Sequence, residues 1–306
     1  MTTGIVSLHQ LQPIRQSMTP DQYCQDKTAK SGSSFYYSFL FLPEQKRKAV
    51  MALYAFCREV DDVVDEIREE QVARVKLRWW RDEIHRLYHG EAQHPVTLAL
   101  KPQLEHFNLD EKYFHDIIDG MQMDLDFNHY RSFEDLATYC YRAASAVGLL
   151  TVEIFGYQNK QTLRYAHDLG MAFQLTNILR DVREDARRQR VYIPEDECRK
   201  FNVSAEDFLK PETPDNVKDL FKFQADRARK FYLQALQVLP DEDRYNQRSG
   251  IIMKSVYESL LDEIELDGFR VLEHQIKLTP LRKIWLAWTT ARKEKKRYKK
   301  LSHNHD

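Results

Sequence analysis

The sequence predicts an all-α protein with a single helical domain. Apolar residues recur at steps of three and four along almost the whole chain, which is the spacing of one helix face. Only nine glycines and ten prolines occur among 306 residues, and no segment rich in Gly, Ser or Pro divides the chain. The chain also lacks the GxGxxG, GxxxxGK(S/T) and GxSxG motifs, so nothing favours a dinucleotide-binding, P-loop or hydrolase fold.

Each expected helix is a stretch of apolar residues at this spacing. Pro43 precedes the second helix and Pro194 begins a further short one, because proline is tolerated in the first turn. The helices are expected, in chain order, at residues 20–30, 44–66, 70–90, 94–107, 110–126, 133–156, 160–186, 215–238, 245–276 and 280–297.

Charge is balanced over the whole chain but unevenly distributed along it. The net charge of -1 gives no reason to expect a nucleic-acid partner. Between residues 282 and 300, however, nine Lys and Arg stand against one acidic residue, and Trp285 and Trp288 lie beside them. This composition is typical of a helix on an anionic membrane surface, although a solvated helix with Trp285 packed on the core is the alternative. We therefore divide the chain into an N-terminal extension (1–18), a helical domain (19–280) and a basic C-terminal helix and tail (281–306).

The composition also predicts a compartment. Four cysteines lie far apart without a CxxC pair, which fits reducing conditions and argues against a disulfide framework or a zinc cluster. The N-terminus lacks the order of a signal peptide, and no apolar segment is long enough to span a membrane. We expect a cytoplasmic protein, with peripheral contact at the inner membrane surface as a further hypothesis.

The stretch CREVDDVVDE places three aspartates in a helix that is otherwise apolar. In that helix Tyr54, Arg58, Asp61 and Asp65 share one face, because steps of three and four residues return to the same side. Asp61 and Asp65 are then one turn apart, where like charges repel. Some interaction must offset that repulsion.

A second stretch, from Phe173 to Pro194, repeats the arrangement. Gln174, Asn177, Asp181 and Asp185 share one helix face, and Arg180 stands beside Asp181. The chain therefore holds two Asp-x-x-x-Asp pairs, each with polar groups one and two turns upstream.

Two such pairs facing each other across a helical bundle would form a site of hard oxygen ligands. Mg²⁺ binds one or two carboxylates together with substrate phosphate oxygens and water, and the amides of Gln174 and Asn177 suit the same shell. Arg58 and Arg180 suit bidentate contact with a diphosphate. The alternative is a pair of solvated acidic faces with local ion pairs, such as Arg58 with Asp62.

Several motifs resemble one enzyme family. YAFCREVDDVVDE and QLTNILRDVREDARRQRVYIP are similar to the two aspartate-rich motifs of the squalene/phytoene synthases, the head-to-head prenyl transferases. SGSSFYYSFLFLP, DGMQMDL and YCYRAASAVG match further family motifs in the same order. The resemblance covers about residues 20 to 275 and is strongest to bacterial presqualene diphosphate synthases, although phytoene synthases share the aspartate motifs.

The resemblance implies a single-domain isoprenoid-synthase-type helical bundle with a central cavity. It implies condensation of two farnesyl diphosphates to presqualene diphosphate, with Mg²⁺, or Mn²⁺ in its place, as cofactor. The implied metal ligands are Asp61, Asp65, Asn177, Asp181 and Asp185. The implied catalytic residues are the same four aspartates and Tyr141, near the reacting carbons. The implied substrate-binding residues are Ser31, Ser33, Ser34, Phe35, Tyr54, Arg58, Gln174, Asn177, Arg180 and Tyr257. Candidate cavity walls are Phe35, Phe39, Met121, Ala144, Val147, Leu150 and Leu175.

The chain departs from the family pattern at two places. Gly32 stands where relatives often have a serine, and LEHQI stands where a phosphate-binding arginine is expected, so His274 or Arg270 would have to replace it. Without a dinucleotide motif, reduction with NADPH is not expected.

Other functions stay open from the sequence. A phytoene synthase using geranylgeranyl diphosphate, a squalene or dehydrosqualene synthase, and a non-catalytic membrane-docking protein are the alternatives. Downstream enzymes of the same pathway are further candidate partners.

Overall fold

The computed structural model describes residues 18–31 and 35–302. This part of the chain folds into fourteen α-helices, short 3-10 turns and one π turn; it has no strand, and one isolated bridge joins His129 and Val191. The helices are α1 (Pro20–Lys30), α2 (Phe35–Phe39), α3 (Glu44–Glu66), α4 (Glu70–Tyr88), α5 (Pro95–Leu100), α6 (Glu111–Asp126), α7 (Phe133–Cys140), α8 (Ala146–Phe155), α9 (Gln161–Arg187), α10 (Glu195–Lys200), α11 (Asp215–Val238), α12 (Asp241–Arg244), α13 (Arg248–Leu266) and α14 (Pro280–Ser302).

Polar side chains and prolines fix the helix starts. Thr19 and Gln22 form a capping box at α1, each accepting a hydrogen bond from the backbone N–H of the other, at 3.2 and 2.9 Å. Asp110 and Ser132 cap α6 and α7 through their side-chain oxygens. Prolines stand directly before α3 and α10, where the sequence predicts helix starts.

Two apolar cores hold the helices together. Phe56 and Phe114 lie in the first, with ring centroids 5.1 Å apart, and Tyr232 lies fully buried in the second. Helix α8 belongs to both, since Leu150 packs into the first and Leu149 into the second. Each such large side chain contributes about 1.5–3 kcal/mol by leaving water. The two cores therefore hold in place the helices on either side of the space between them.

A π turn over residues 141–145 interrupts the helix that was expected over 133–156. Gly170 of α9 packs against this turn, where an added Cβ atom would lie 2.6 Å from the Cα of Ser145. Only glycine, which has no Cβ atom, lets α9 approach the π turn this closely. Because a π turn contains one residue more than an α turn, side chains before and after it point in different directions than a regular helix would give.

Some expected helix boundaries are wrong. The helix expected over 245–276 starts at Arg248 and ends at Leu266, because Gly268 and Phe269 adopt left-handed φ angles of 72° and 58°. Residues 267–279 are therefore a loop. The helix expected over 94–107 is a short α-helix that tightens into a 3-10 turn.

The C-terminal helix α14 packs only one of its faces on the domain. Ala287 and Glu294 are buried, and Glu294 pairs with Arg244 at 2.8 Å. The opposite face exposes Trp285 and Trp288, so the alternative in which Trp285 packs on the core is wrong. Within the described residues, no helix combines the length and apolar character that crossing a membrane requires.

Candidate active site

An elongated cavity of about 670 Å³ lies between the two apolar cores. Helices α3, α8, α9 and α13 each turn one face toward it, as does the π turn before α8. On α9 the lining residues include Tyr165, Leu169, Phe173, Asn177 and Arg180, which recur at helical steps. Fifteen residues of rise correspond to about 22 Å. The cavity therefore follows the helix axis along most of α9.

The two ends of the cavity differ in polarity. At one end, the mouth, charged and amide side chains line the wall: Arg58, Asp61, Gln174, Asn177, Arg180, Gln275, Lys277 and Lys283. At the other end, the floor, the lining residues are Phe155, Tyr165, Gln247, Ser249 and Gly250. Apolar residues of both cores line the space between.

The first aspartate motif lies at the mouth on α3. Arg58 bridges Asp61 at 2.6 Å and Asp62 at 2.5 Å, and Lys27 bonds Asp62 at 2.8 Å. The ion pair of Arg58 with Asp62 thus forms, while Asp61 keeps about a third of its side chain open, toward the cavity. Burial, joined by the nearby charges of Asp65 and Asp62 and opposed by Arg58, raises the pKa of Asp61 to about 7.

The second motif lies on α9 beside the same mouth. Asn177 and Gln174 line the cavity, and Asp181, one turn beyond Asn177, pairs with Arg180. Burial, with the charge of Asp181 added, raises the pKa of Asp185 to about 7. The two motifs lie on α3 and α9 as the sequence predicts, but of the four aspartates only Asp61 is among the residues that line the cavity.

Arginines that the sequence analysis did not single out connect the two motifs. Arg190 donates to Asp65 at 3.1 Å and to the backbone carbonyl of Val64 at 2.9 Å, and Arg188 contacts Asp65 at 2.9 Å. The bridge between His129 and Val191 pins the loop that carries them. The available signal was their place in RQRVYIP, directly after the second motif.

A partly buried carboxyl of α6, that of Asp124, completes the acidic cluster formed with the two aspartate motifs. Asp124 accepts hydrogen bonds from Tyr192 at 2.6 Å and Tyr139 at 3.2 Å. Burial raises its pKa to about 6, although both tyrosines and Arg190 oppose the shift. The charge of Asp124 in turn helps to raise the pKa of Asp61 and of Asp185.

The chemistry of these donors fits a divalent cation shared with substrate. Among the described residues, no three His, Cys, Asp or Glu side chains form a ready-made metal cage. Mg²⁺ requires only one or two carboxylates when phosphate oxygens and water complete its shell. The Oδ1 atom of Asn177 is buried at the cavity wall without a hydrogen-bond partner among the described residues, so this oxygen is available as a ligand.

Tyr141 does not take its predicted place near reacting carbons. The π turn directs its hydroxyl to Asp116, to which it donates at 3.1 Å, while Lys112 donates to it at 3.3 Å. Tyr141 is absent from the cavity lining. Two residues earlier, Tyr139 points instead to Asp124.

Some of the other predicted substrate-binding residues line the cavity, and others lie outside the described residues. Ser31, Tyr54 and Tyr257 line the cavity; Tyr54 donates to Ser31 at 3.3 Å, and Tyr257 bonds Arg180. Gly32, Ser33 and Ser34 lie outside the described residues, as does the side chain of Phe35.

The two residues suggested as replacements for the expected phosphate-binding arginine lie away from the cavity, whereas two lysines that follow LEHQI line it. Arg270 and His274 both turn to Asp267, at 2.7 and 3.2 Å, and neither lines the cavity. Lys277 and Lys283 line the mouth together with Arg180. Burial, and then the charges of Arg180 and Lys277, lower the pKa of Lys283.

The predicted walls are correct in part. Phe39, Met121, Ala144 and Val147 line the cavity. Leu150 and Leu175 are buried in the two cores instead, because periodicity alone does not separate a cavity-facing position from a core-facing one.

Comparison with known proteins agrees with this architecture. The family model described as squalene/phytoene synthase matches residues 28–282. The 15-cis-phytoene synthase of Synechococcus elongatus is 36% identical over 276 residues, which cover 85% of this chain and 89% of that protein. The phytoene synthase of Arthrospira platensis is 34% identical over 270 residues, 83% of this chain and 86% of that protein.

Solved structures show the same fold. A dehydrosqualene synthase in complex with a ligand superposes with a TM-score of 0.80 at 26% identity, covering 90% of this chain and 97% of that one. The squalene synthase HpnC from Alicyclobacillus acidocaldarius gives a TM-score of 0.73 at 26% identity, covering 82% and 95%. The helical fold and the aspartate motifs agree with what the family match requires: the chain belongs to the squalene/phytoene synthase family.

Proposed function

We propose that the protein condenses two molecules of farnesyl diphosphate head to head into presqualene diphosphate. The observation that carries this proposal is the polarity of the cavity, which is charged at the mouth, apolar along its length and lined by uncharged, mostly buried residues at the floor. Such a space accepts a diphosphate at one end and a hydrocarbon tail along its body.

The mouth provides the groups that a departing diphosphate requires. In the proposed reaction the C1–O bond of one substrate breaks, and the 2,3 double bond of the second attacks the allylic cation. The released diphosphate accepts the proton that is lost as the cyclopropane ring closes. Arg58, Arg180 and Lys283 donate hydrogen bonds to the diphosphate oxygens as their charge grows.

Asp61, Asp65, Asp181, Asp185 and Asn177 are the residues that would hold Mg²⁺ or Mn²⁺. Bound there, the cation supplies Lewis-acid stabilisation of the leaving group. The apolar walls between mouth and floor exclude water, which would otherwise quench an allylic cation.

The length of the substrate divides the family. Squalene and dehydrosqualene are C30 compounds built from two C15 units, whereas phytoene is a C40 compound built from two C20 units. The dehydrosqualene and squalene synthases among the structural neighbours support C15 substrates. The phytoene synthases among the sequence relatives support geranylgeranyl diphosphate as the alternative.

Product analysis by mass spectrometry tests the proposal. The enzyme is incubated with Mg²⁺ and either farnesyl or geranylgeranyl diphosphate, each with and without NADPH. We expect presqualene diphosphate from the C15 substrate in both cases. Squalene that appears only with NADPH would show a reductive enzyme, and a C40 product as the main outcome would favour the alternative.

A variant separates catalysis from a purely structural role. Asp61→Asn keeps the size of the side chain but removes its charge, and we expect at least about a hundredfold loss in kcat. Asp226→Asn on the exposed face of α11 is the matched control. Equal activity of both variants would show that Asp61 takes no part in catalysis, whereas no activity in the wild type would favour a non-catalytic helical protein.

We also propose peripheral contact with an anionic membrane, through α14. Its outer face exposes Leu281, Ile284, Trp285 and Trp288 by 49–80%, at steps of three and four residues. Arg292 stacks over Trp288 at 5.4 Å, and exposed Lys and Arg side chains continue the same face toward residue 300. Apolar and basic groups on one face suit lipid tails and anionic headgroups together.

Vesicle co-sedimentation tests this contact without substrate. We expect binding to vesicles that contain phosphatidylglycerol, weak binding to neutral vesicles, and loss of binding in Trp285→Ser/Trp288→Ser. Trp79→Ser, at a half-exposed position of α4, is the control. Undiminished binding of the double variant would refute the assignment to α14.

A further inference from the structure

Tyr165 and Gly250 close the floor of the cavity. An added Cβ atom at Gly250 would lie 2.5 Å from the Tyr165 hydroxyl, so the phenol presses on the first turn of α13. Tyr165 itself is only 1% exposed and belongs to the second core. The ring therefore has no room to move toward α13.

Hydrogen bonds to backbone carbonyls hold the surrounding floor in place. Lys46 donates to the carbonyl of Phe155 at 2.5 Å, and Gln247 donates through Nε2 to that of Gly156 at 3.0 Å. These bonds tie α3 and the start of α13 to the end of α8. The floor is thus a fixed surface rather than a loose end of the cavity.

Two polar atoms of this floor lack the hydrogen bonds that buried polar atoms usually form. The Tyr165 hydroxyl and Gln247 Oε1 are buried without a hydrogen-bond partner among the described residues. Folded proteins keep few such atoms, because each one destabilises the fold. The presence of Tyr165 at this position is therefore better explained by the shape of its ring than by its hydroxyl.

We propose that the ring of Tyr165 is the stop that sets the length of the prenyl chain. The inference rests on the proposed function, because it requires prenyl tails to lie along the cavity with their diphosphates at the mouth. The end of the tail then meets the phenol, about 22 Å of helix rise from Arg180. Ring and hydroxyl together are about the size of one isoprene unit.

Truncation of Tyr165 tests the stop. The preferred substrate is measured as kcat/KM over a series of C15, C20 and C25 allylic diphosphates, for wild type, Tyr165→Leu and Tyr165→Ala. We expect both variants to shift the preference upward by one isoprene unit, with the ratio of the longer to the shorter substrate rising by at least about tenfold. Tyr165→Phe, which keeps the ring, is expected to keep the preferred length of the wild type.

Tyr232→Ala is the matched control for lost packing. Tyr232 is fully buried on α11 and bonds Thr176 of α9 at 2.9 Å, yet it does not line the cavity. This variant should be destabilised like Tyr165→Ala in thermal unfolding, with its substrate ratio within about twofold of the wild type.

The outcomes separate the stop from the proposed function. Active Tyr165→Leu and Tyr165→Ala enzymes with the wild-type ratio would overturn the stop, while the condensation itself would stand. A wild type that prefers C20 would overturn the C15 assignment, and an upward shift to C25 in the variants would still support the stop. A wild type that condenses no substrate of the series would overturn both.

Discussion

Removing the Asp185 carboxylate should flatten the pH dependence of stability in the metal-free protein. Asp185 has a pKa of about 7 in the folded chain, raised by burial and then by the charge of Asp181, against about 3.9 for an unfolded aspartate. Between about pH 4 and pH 7 the folded state therefore holds a proton that the unfolded state has released. This proton stabilises the folded state at low pH. The stabilisation is lost as the pH rises through 7, the pKa of Asp185 in the folded chain.

The size of the effect follows from the linkage relation. One proton changes the free energy of unfolding by about 1.4 kcal/mol per pH unit. Asp185 is only partly buried, so we take half of that value, about 0.7 kcal/mol per pH unit, to account for screening by solvent. Asp185→Asn should then reduce the loss of stability between pH 5 and pH 7 by about 1.4 kcal/mol.

Urea unfolding followed by circular dichroism at pH 5, 6, 7 and 8, in EDTA, measures the effect. Asp226→Asn, exposed on α11, should retain the wild-type slope. Mg²⁺ should stabilise the wild type more at pH 8 than at pH 6, since it binds deprotonated carboxylates. Parallel profiles for wild type and Asp185→Asn between pH 5 and pH 7 would refute the reasoning.

Three further variants address other parts of the site and fold. Arg190→Gln removes the guanidinium that bonds Asp65 and should raise the Mg²⁺ concentration for half-maximal activity by about tenfold, with the helical circular dichroism unchanged. Gly170→Ala places a methyl group against the π turn and should lower the free energy of unfolding by about 1–3 kcal/mol, whereas an unchanged value would mean that the backbone yields there. Arg244→Met leaves Glu294 buried without its partner and should cost about 3–5 kcal/mol in urea unfolding; a cost below 1 kcal/mol would show that α14 detaches easily.

The spacing of apolar residues at helical steps predicted most of the fold. The long amphipathic helices, such as α3 and α11, begin and end where the apolar spacing and the flanking residues place them. The prediction failed where backbone geometry, not spacing, decides. Gly268 and Phe269 follow the end of α13 with left-handed φ angles; Gly268 was an available signal for a helix end, whereas Phe269 gave none.

The site was predictable where it lies on one helix face. Asp61 with Arg58, and Asp181 with Asn177, follow from steps of three and four residues. Lys283 was not predictable, because its place at the mouth depends on how the loop over 267–279 returns to the cavity. Long-range contacts of this kind depend on tertiary packing, which the local spacing of residues does not predict.

The π turn before α8 constrains how the length of this chain can change. Tyr139, before the turn, is held by Asp124, while Val147, after it, lines the cavity. Deleting one residue between them would restore a regular helix but rotate one segment about 100° relative to the other. Either the Tyr139 hydroxyl would lose its hydrogen bond to Asp124, or Val147 would turn from the cavity toward an apolar core. The helical phase across residues 141–145 therefore determines both the contact of Tyr139 with the acidic cluster and the orientation of the cavity wall, and single-residue insertions or deletions should be tolerated in the loops but not there.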